Sequence, residues 1–108
     1  MCKVVIGDVI LVNFVFDDSP GDFKIRPAVI IEITHNGIDA LGLKVTSAPP
    51  RDQRDYILKD WAVAGLTKPS TVRTLKQMIV KPEFVIKVLG KLSQSDLANI
   101  LQMRNQEG

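Results

Sequence analysis

Apolar residues fall along this chain in short runs, and turn-forming residues divide them. Asp8-Val-Ile-Leu-Val-Asn-Phe-Val-Phe16 is rich in β-branched and aromatic side chains and predicts a first strand. Asp17 to Asp22, built round Pro20-Gly21, predicts a loop. Arg26-Pro-Ala-Val-Ile-Ile-Glu-Ile33 predicts a second strand, and its unbroken apolar run implies burial on both faces. Pro27 cannot donate to a ladder, so it belongs at the first position of that strand. Asn36-Gly37 tolerates the positive φ angles of a type I′ turn and predicts a tight hairpin into a third strand, from about Ile38 to Ser47.

The run Ala-Pro-Pro-Arg-Asp-Gln-Arg-Asp over 48–55 breaks the pattern. Tyr56-Ile-Leu58 reads as a short strand, and Lys59–Gly65 as one helical turn ended by its glycine. Ser70–Val80 alternates as a strand does, and Phe84–Leu89 is a short strand or turn before Gly90. Ser93 is placed to N-cap a helix, with Asp96 at the third helical position in a variant of the capping box. Leu97, Ile100, Leu101 and Arg104 fall on one stripe of that helix. Short strands, frequent turns and one late helix describe a mainly β chain. The expected fold is a small, strongly bent barrel with a C-terminal helix packed on it. Residues 1–108 are expected to form one domain, and the sequence shows no repeat or linker.

Composition narrows the chemistry. With 45% hydrophobic and 24% charged residues the chain is an ordinary folding sequence, not a disordered one. A single cysteine, Cys2, excludes a disulfide framework and a cysteine-built zinc site, and a single histidine, His35, excludes a site needing two imidazoles. No apolar run is long enough to span a membrane, and the first residues do not resemble a signal peptide, so a cytoplasmic protein is expected. The net charge of +2 is uneven: residues 44–91 hold ten basic and four acidic side chains, while residues 1–43 hold three and six. A basic middle suits a polyanion partner, although a solvated face explains charge of this kind more simply.

No phosphate-cradling glycine motif, GxSxG, HExxH or CxxC occurs. The acids Asp17, Asp18 and Asp22 lack EF-hand spacing, and no metal is expected. What remains is Arg26-Pro27-Ala28 and the hydroxyl pair Thr46-Ser47. If the second and third strands pair through Asn36-Gly37, a guanidinium and a hydroxyl meet at one edge of the barrel, beside the Asp17–Asp22 loop. On spacing alone, an Arg26 paired with a loop aspartate explains the arrangement more simply.

Gly7-Asp8-Val9-Ile10-Leu11-Val12-Asn13-Phe14, then Arg26-Pro27-Ala28-Val29-Ile30-Ile31, then Val45-Thr46-Ser47, resembles the MazF/PemK family of toxin endoribonucleases. Gly90-Lys91-Leu92-Ser93 followed by a helix fits its PemK-like members. The resemblance implies an SH3-like barrel shared with the gyrase poison CcdB, a homodimer, and neutralisation by a small antitoxin. It also implies cleavage of single-stranded RNA with no metal and no cofactor. Arg26 matches the family's active-site arginine, and Thr46, with Ser47 beside it, the active-site hydroxyl. The later family segment Asp-Gln-x-Arg/Lys corresponds to Ser70-Thr71-Val72-Arg73, so the basic residue is kept and the acid is replaced by Ser70.

Cleavage of this kind needs a cation on the phosphorane, which Arg26 supplies, and hydrogen bonds from Thr46 or Ser47. Candidate proton acceptors are Glu32, Asp17, Asp18 and His35. Lys24, Arg51, Arg54, Lys68 and Arg73 flank these segments and are expected, with Ser70, to follow an RNA backbone. The missing acid at Ser70 leaves open a second class, a toxin-like module that binds a protein target, or RNA, without cutting.

Overall fold

The computed structural model describes residues 4–15, 23–34 and 39–107. Among these, six strands precede one helix: β1 (Asp8–Val15), β2 (Phe23–Ile33), β3 (Ala40–Thr46), β4 (Asp55–Ile57), β5 (Thr71–Val80), β6 (Val85–Lys91) and α1 (Gln94–Glu107). A 3-10 turn, Pro82–Phe84, joins β5 to β6. The strands make one antiparallel sheet in the order β4-β5-β3-β2-β1-β6, open between its edges β4 and β6. The mainly β class with a C-terminal helix is the one the hydrophobic pattern describes.

Both sheet faces bury apolar side chains, because successive residues of a strand point to opposite sides. One face carries Val9, Val29, Ile31, Leu43, Val45 and Val72, packed with Leu58, Ala64, Leu92 and Ile100. The other carries Ile10, Val12, Ala28, Ile30, Ala40 and Val80. Residues 28–31 therefore serve both clusters, as their continuous apolar run implies. Ser93 caps α1, accepting the Asp96 N–H on its hydroxyl at 3.2 Å. Ile100 is fully buried, with Leu97 and Leu101 packed beside it. Arg104 instead leaves the apolar stripe to pair with Glu32 at 3.1 Å.

Several boundaries differ from the sequence expectation for physical reasons. β2 starts at Phe23, so Pro27 lies inside the strand and not at its first position. The ladder to β3 begins only at Ala28, so residues 23–27 have a neighbour on the β1 side alone, and a missing N–H is tolerated there. Ser47 lies in the bend after β3. β6 runs through Gly90 to Lys91, where a turn or short strand ending before the glycine was expected. A Cβ at Gly90 would lie 2.6 Å from the Ala64 carbonyl oxygen, so the glycine marks a close backbone approach and not a break. Gly65, with φ +85°, ends the turn after Lys59 as expected. The Asn36-Gly37 turn, His35, Cys2 and the Asp17–Asp22 loop lie outside the described residues. The hairpin flank is closed by the Thr34 N–H donating to the Asp39 carbonyl at 2.9 Å.

Candidate functional site

The site begins with the overhang of β2. Ala28 pairs with Lys44, and the same register carried two residues outward sets Arg26 across from Thr46. A bulge between Ile30 and Glu32 decides this pairing. Counted evenly from a two-residue turn at Asn36-Gly37, Arg26 would face Ser47; the extra residue in β2 moves it one place, to Thr46. Arg26 is exposed, and its Nη1 donates to the Ile25 carbonyl at 3.1 Å. No carboxylate of the described residues pairs with it.

A second wall comes from the segment between β4 and β5. Its turn over residues 60–65 is closed by the Ala64 N–H donating to the Asp60 carbonyl at 3.2 Å and the Leu66 N–H donating to Trp61 at 3.1 Å. The chain then passes through Leu66, Thr67 and Lys68 to Ser70, whose hydroxyl donates to the Lys68 carbonyl at 2.9 Å. The Leu58 N–H donates to the Ser70 carbonyl at 3.0 Å, fixing the base of the segment to β5.

Between the two walls lies a pocket of about 650 Å³. Its floor is apolar, from Leu11, Pro27, Val45, Leu66 and Leu89, and continues the core face of the sheet. Its polar lining is Arg26, Thr46, Ser47, Thr67, Lys68 and Ser70. Two cations and four hydroxyls over an apolar floor suit an anion joined to a flat, weakly polar group, as in a nucleotide. The described lining holds neither carboxylate nor imidazole. Thr46 Oγ1 also accepts the Ala48 N–H at 3.1 Å, which orients the hydroxyl.

Five of the nine residues singled out from sequence thus meet in one place: Arg26, Thr46, Ser47, Lys68 and Ser70. Three of the other four, Arg73, Arg51 and Arg54, do not line it. Arg73 is buried, with Nη1 3.1 Å from Asp55 Oδ2. Charge in a sequence does not report burial, and this guanidinium is taken up by Asp55. The exposed Arg51 and Arg54 sit on the 51–55 turn, where the Arg51 N–H donates to Asp55 at 2.9 Å and the Arg54 N–H to Asp52 at 2.8 Å. Lys24 lies in β2, and its side chain is outside what is described. Among the candidate bases, Glu32 is six residues from Arg26 along β2, roughly 20 Å at strand spacing.

Sequence reasoning missed the apolar floor and, above all, Asp96. This carboxylate is fully buried and accepts from the Tyr56 hydroxyl at 2.6 Å, the Asp60 N–H at 2.9 Å and the Lys59 N–H at 3.2 Å. Burial by itself would raise its pKa, but these hydrogen bonds, with the Ser93 hydroxyl, outweigh that and hold it below its ordinary value. Burial, and then the bond to Asp96, push the Tyr56 phenol above its own. A capping motif was visible at Ser93 and Asp96, but not the partners 36 to 40 residues away.

No family model matches the chain, and no curated protein matches it. Solved structures do. A MazE–MazF complex from Deinococcus radiodurans matches with a TM-score of 0.78 at 15% identity, covering 98% of this chain and 96% of that one. The fold is that of the MazF toxins. An endoribonuclease from a mycobacterial species gives 0.74 at 10% identity, over 98% of this chain and 91% of the other. A MazF toxin of Mycobacterium tuberculosis gives 0.69 at 16%, over 92% and 93%. At such identities the MazF likeness carries the fold, and the chemistry has to be argued from the pocket.

Proposed function

We propose that this chain is the toxin of a toxin–antitoxin pair, a cytoplasmic endoribonuclease that cuts single-stranded RNA at the Arg26–Thr46 pocket without a metal. The observation that carries the proposal is the convergence of Arg26, Thr46, Ser47 and Lys68 on one pocket in a chain with the MazF fold. The substrate's own 2′-hydroxyl attacks the adjacent phosphate. A 2′-O–P bond forms, the P–O5′ bond breaks, the 2′ proton passes to water, and the 5′ oxygen takes one from water. The products are a 2′,3′-cyclic phosphate and a free 5′-hydroxyl.

Arg26 holds two phosphate oxygens in its planar fork and offsets the charge that builds on the phosphorane. Lys68 adds a second positive charge from the other wall. The Thr46 hydroxyl, held by the Ala48 amide, orients the phosphate or the 2′-hydroxyl, with Ser47 beside it. The apolar floor takes the neighbouring base. An antitoxin partner is supported by the MazE–MazF complex among the structural matches. A homodimer is supported by exposed apolar residues on the β4–β5 side of the sheet: Ile57, Leu75 and Ile79.

The test is incubation of pure protein with mixed-sequence RNA in EDTA, followed by end-group analysis. Cyclic phosphate ends support the proposal; a strict magnesium requirement with 5′-phosphate ends contradicts it. One observation favours a second reading, a toxin-like binder that does not cut: Ser70 stands where the family resemblance has an acid, and its hydroxyl is committed to the Lys68 carbonyl. Salt-sensitive RNA binding with no cleavage would select that reading.

A further inference from the structure

Asp96 takes no part in the chemistry proposed above, yet it is fully buried and its carboxylate accepts hydrogen bonds from Tyr56, Lys59 and Asp60, all far beyond its own helix turn. A buried carboxylate is costly unless it is fully partnered, and this one is. Oδ1 accepts from Tyr56 and Lys59, and Oδ2 from Asp60. The two amides open the turn over residues 60–65, whose first N–H groups have no acceptor within the turn, as at any helix start. The carboxylate is therefore a cap delivered from the first turn of α1. Asn99 steadies Tyr56 from the same helix, donating to its hydroxyl at 3.1 Å. The far end of the turn is held separately, where Gly65 and Gly90 let two backbones touch.

We infer that Asp96 is a positioning residue for the pocket: by capping the 60–65 turn it fixes the wall that carries Leu66, Thr67 and Lys68. The inference rests on the ribonuclease reading of the pocket for its functional half, and on the cap geometry for its structural half. Asn in place of Asp96 keeps the volume but offers one acceptor oxygen where two are used. One contact among Tyr56, Lys59 and Asp60 is then lost, while Ser93 still caps α1.

The experiment compares the full-length wild type with Asp96→Asn, Lys68→Ala and the double variant, by amide hydrogen exchange and by steady-state cleavage of single-stranded RNA. In Asp96→Asn, exchange is expected to quicken over residues 59–68 and stay unchanged in β1 and β2. The emission of Trp61, the single tryptophan, should shift with it. KM should rise by about tenfold with kcat within about twofold, because Lys68 serves ground state and transition state alike. The double variant should be little worse than Lys68→Ala, since both changes remove the same contact. Tyr56→Phe removes one of the three hydrogen bonds and gives the same pattern at smaller size, should Asp96→Asn fold poorly. Unchanged exchange over 59–68 in both variants, or effects of Asp96→Asn and Lys68→Ala that multiply, overturns the inference. Wild-type protein that neither binds nor cuts RNA overturns the reading of the pocket instead, and exchange then still decides whether Asp96 holds the wall.

Discussion

Arg26 and Asp96 are the two side chains on which the proposed chemistry and its geometry turn, and they behave oppositely. Arg26 is exposed at the overhang of β2, so Arg26→Ala should leave the urea midpoint unchanged while kcat falls by roughly a hundred- to a thousandfold, the usual loss for one fixed electrostatic donor. Thr46→Val should weaken cleavage more than Ser47→Ala, because the β2–β3 register, carried two residues past its last pair at Ala28 and Lys44, sets Thr46 across from Arg26. Asp96 acts on stability and its pH dependence. Its folded pKa is lowered, so the stabilisation is complete above the ordinary value of 3.8 and is lost as pH falls from there through the folded value. Tyr56 has the opposite sign: its pKa is raised, so its contribution is complete below 10.0 and is lost as pH rises through the folded value. Urea titrations across both limbs should show an acid loss that Asp96→Asn flattens and an alkaline loss that Tyr56→Phe flattens. Arg26 and the Thr46-Ser47 pair were legible in the sequence because strands joined by a short hairpin bring their far ends together, while the bulge that selects Thr46 over Ser47 was not. Asp96 was not, because its partners come from a segment that local spacing does not relate to α1.

The elements that shape the pocket are β1, β2, β3, the segment between β4 and β5, and β6. The overhang of β2 is not legible in the sequence, because a proline is expected to start a strand, whereas a strand with one neighbour tolerates it inside. β6 runs further than the sequence suggests, because Gly90 looks like punctuation, whereas here it admits the Ala64 carbonyl. Gly90→Ala would set a Cβ 2.6 Å from that oxygen. Either β6 or the pocket wall must move, so the variant should lose about 1–3 kcal/mol by chemical denaturation, the range for overpacking. Its KM for RNA should also rise. Arg73 shows the same limit on charge: its sequence neighbours suggested a basic groove, but its guanidinium is spent on Asp55 under β4.

For the whole molecule, the fold class was legible because strand periodicity, turn residues and one capped helix agree, and structural matches at 10–16% identity share that architecture. The basic middle of the chain is only partly a groove: Lys68 reaches the pocket, where it joins Arg26 from β2, while Arg51 and Arg54 sit on the turn before β4. RNA binding should therefore weaken as salt rises, with a shallow dependence set by a few phosphate contacts at about 0.7 per contact on a log–log plot. Lys68→Ala should reduce that slope by about one contact. The measurement that decides the matter is end-group analysis of single-stranded RNA incubated in EDTA with wild-type protein and with Arg26→Ala, both verified as folded. Wild type should release 2′,3′-cyclic phosphate ends that Arg26→Ala forms at least a hundredfold more slowly. Equal cleavage by the two proteins, or none by wild type, contradicts an Arg26-centred ribonuclease.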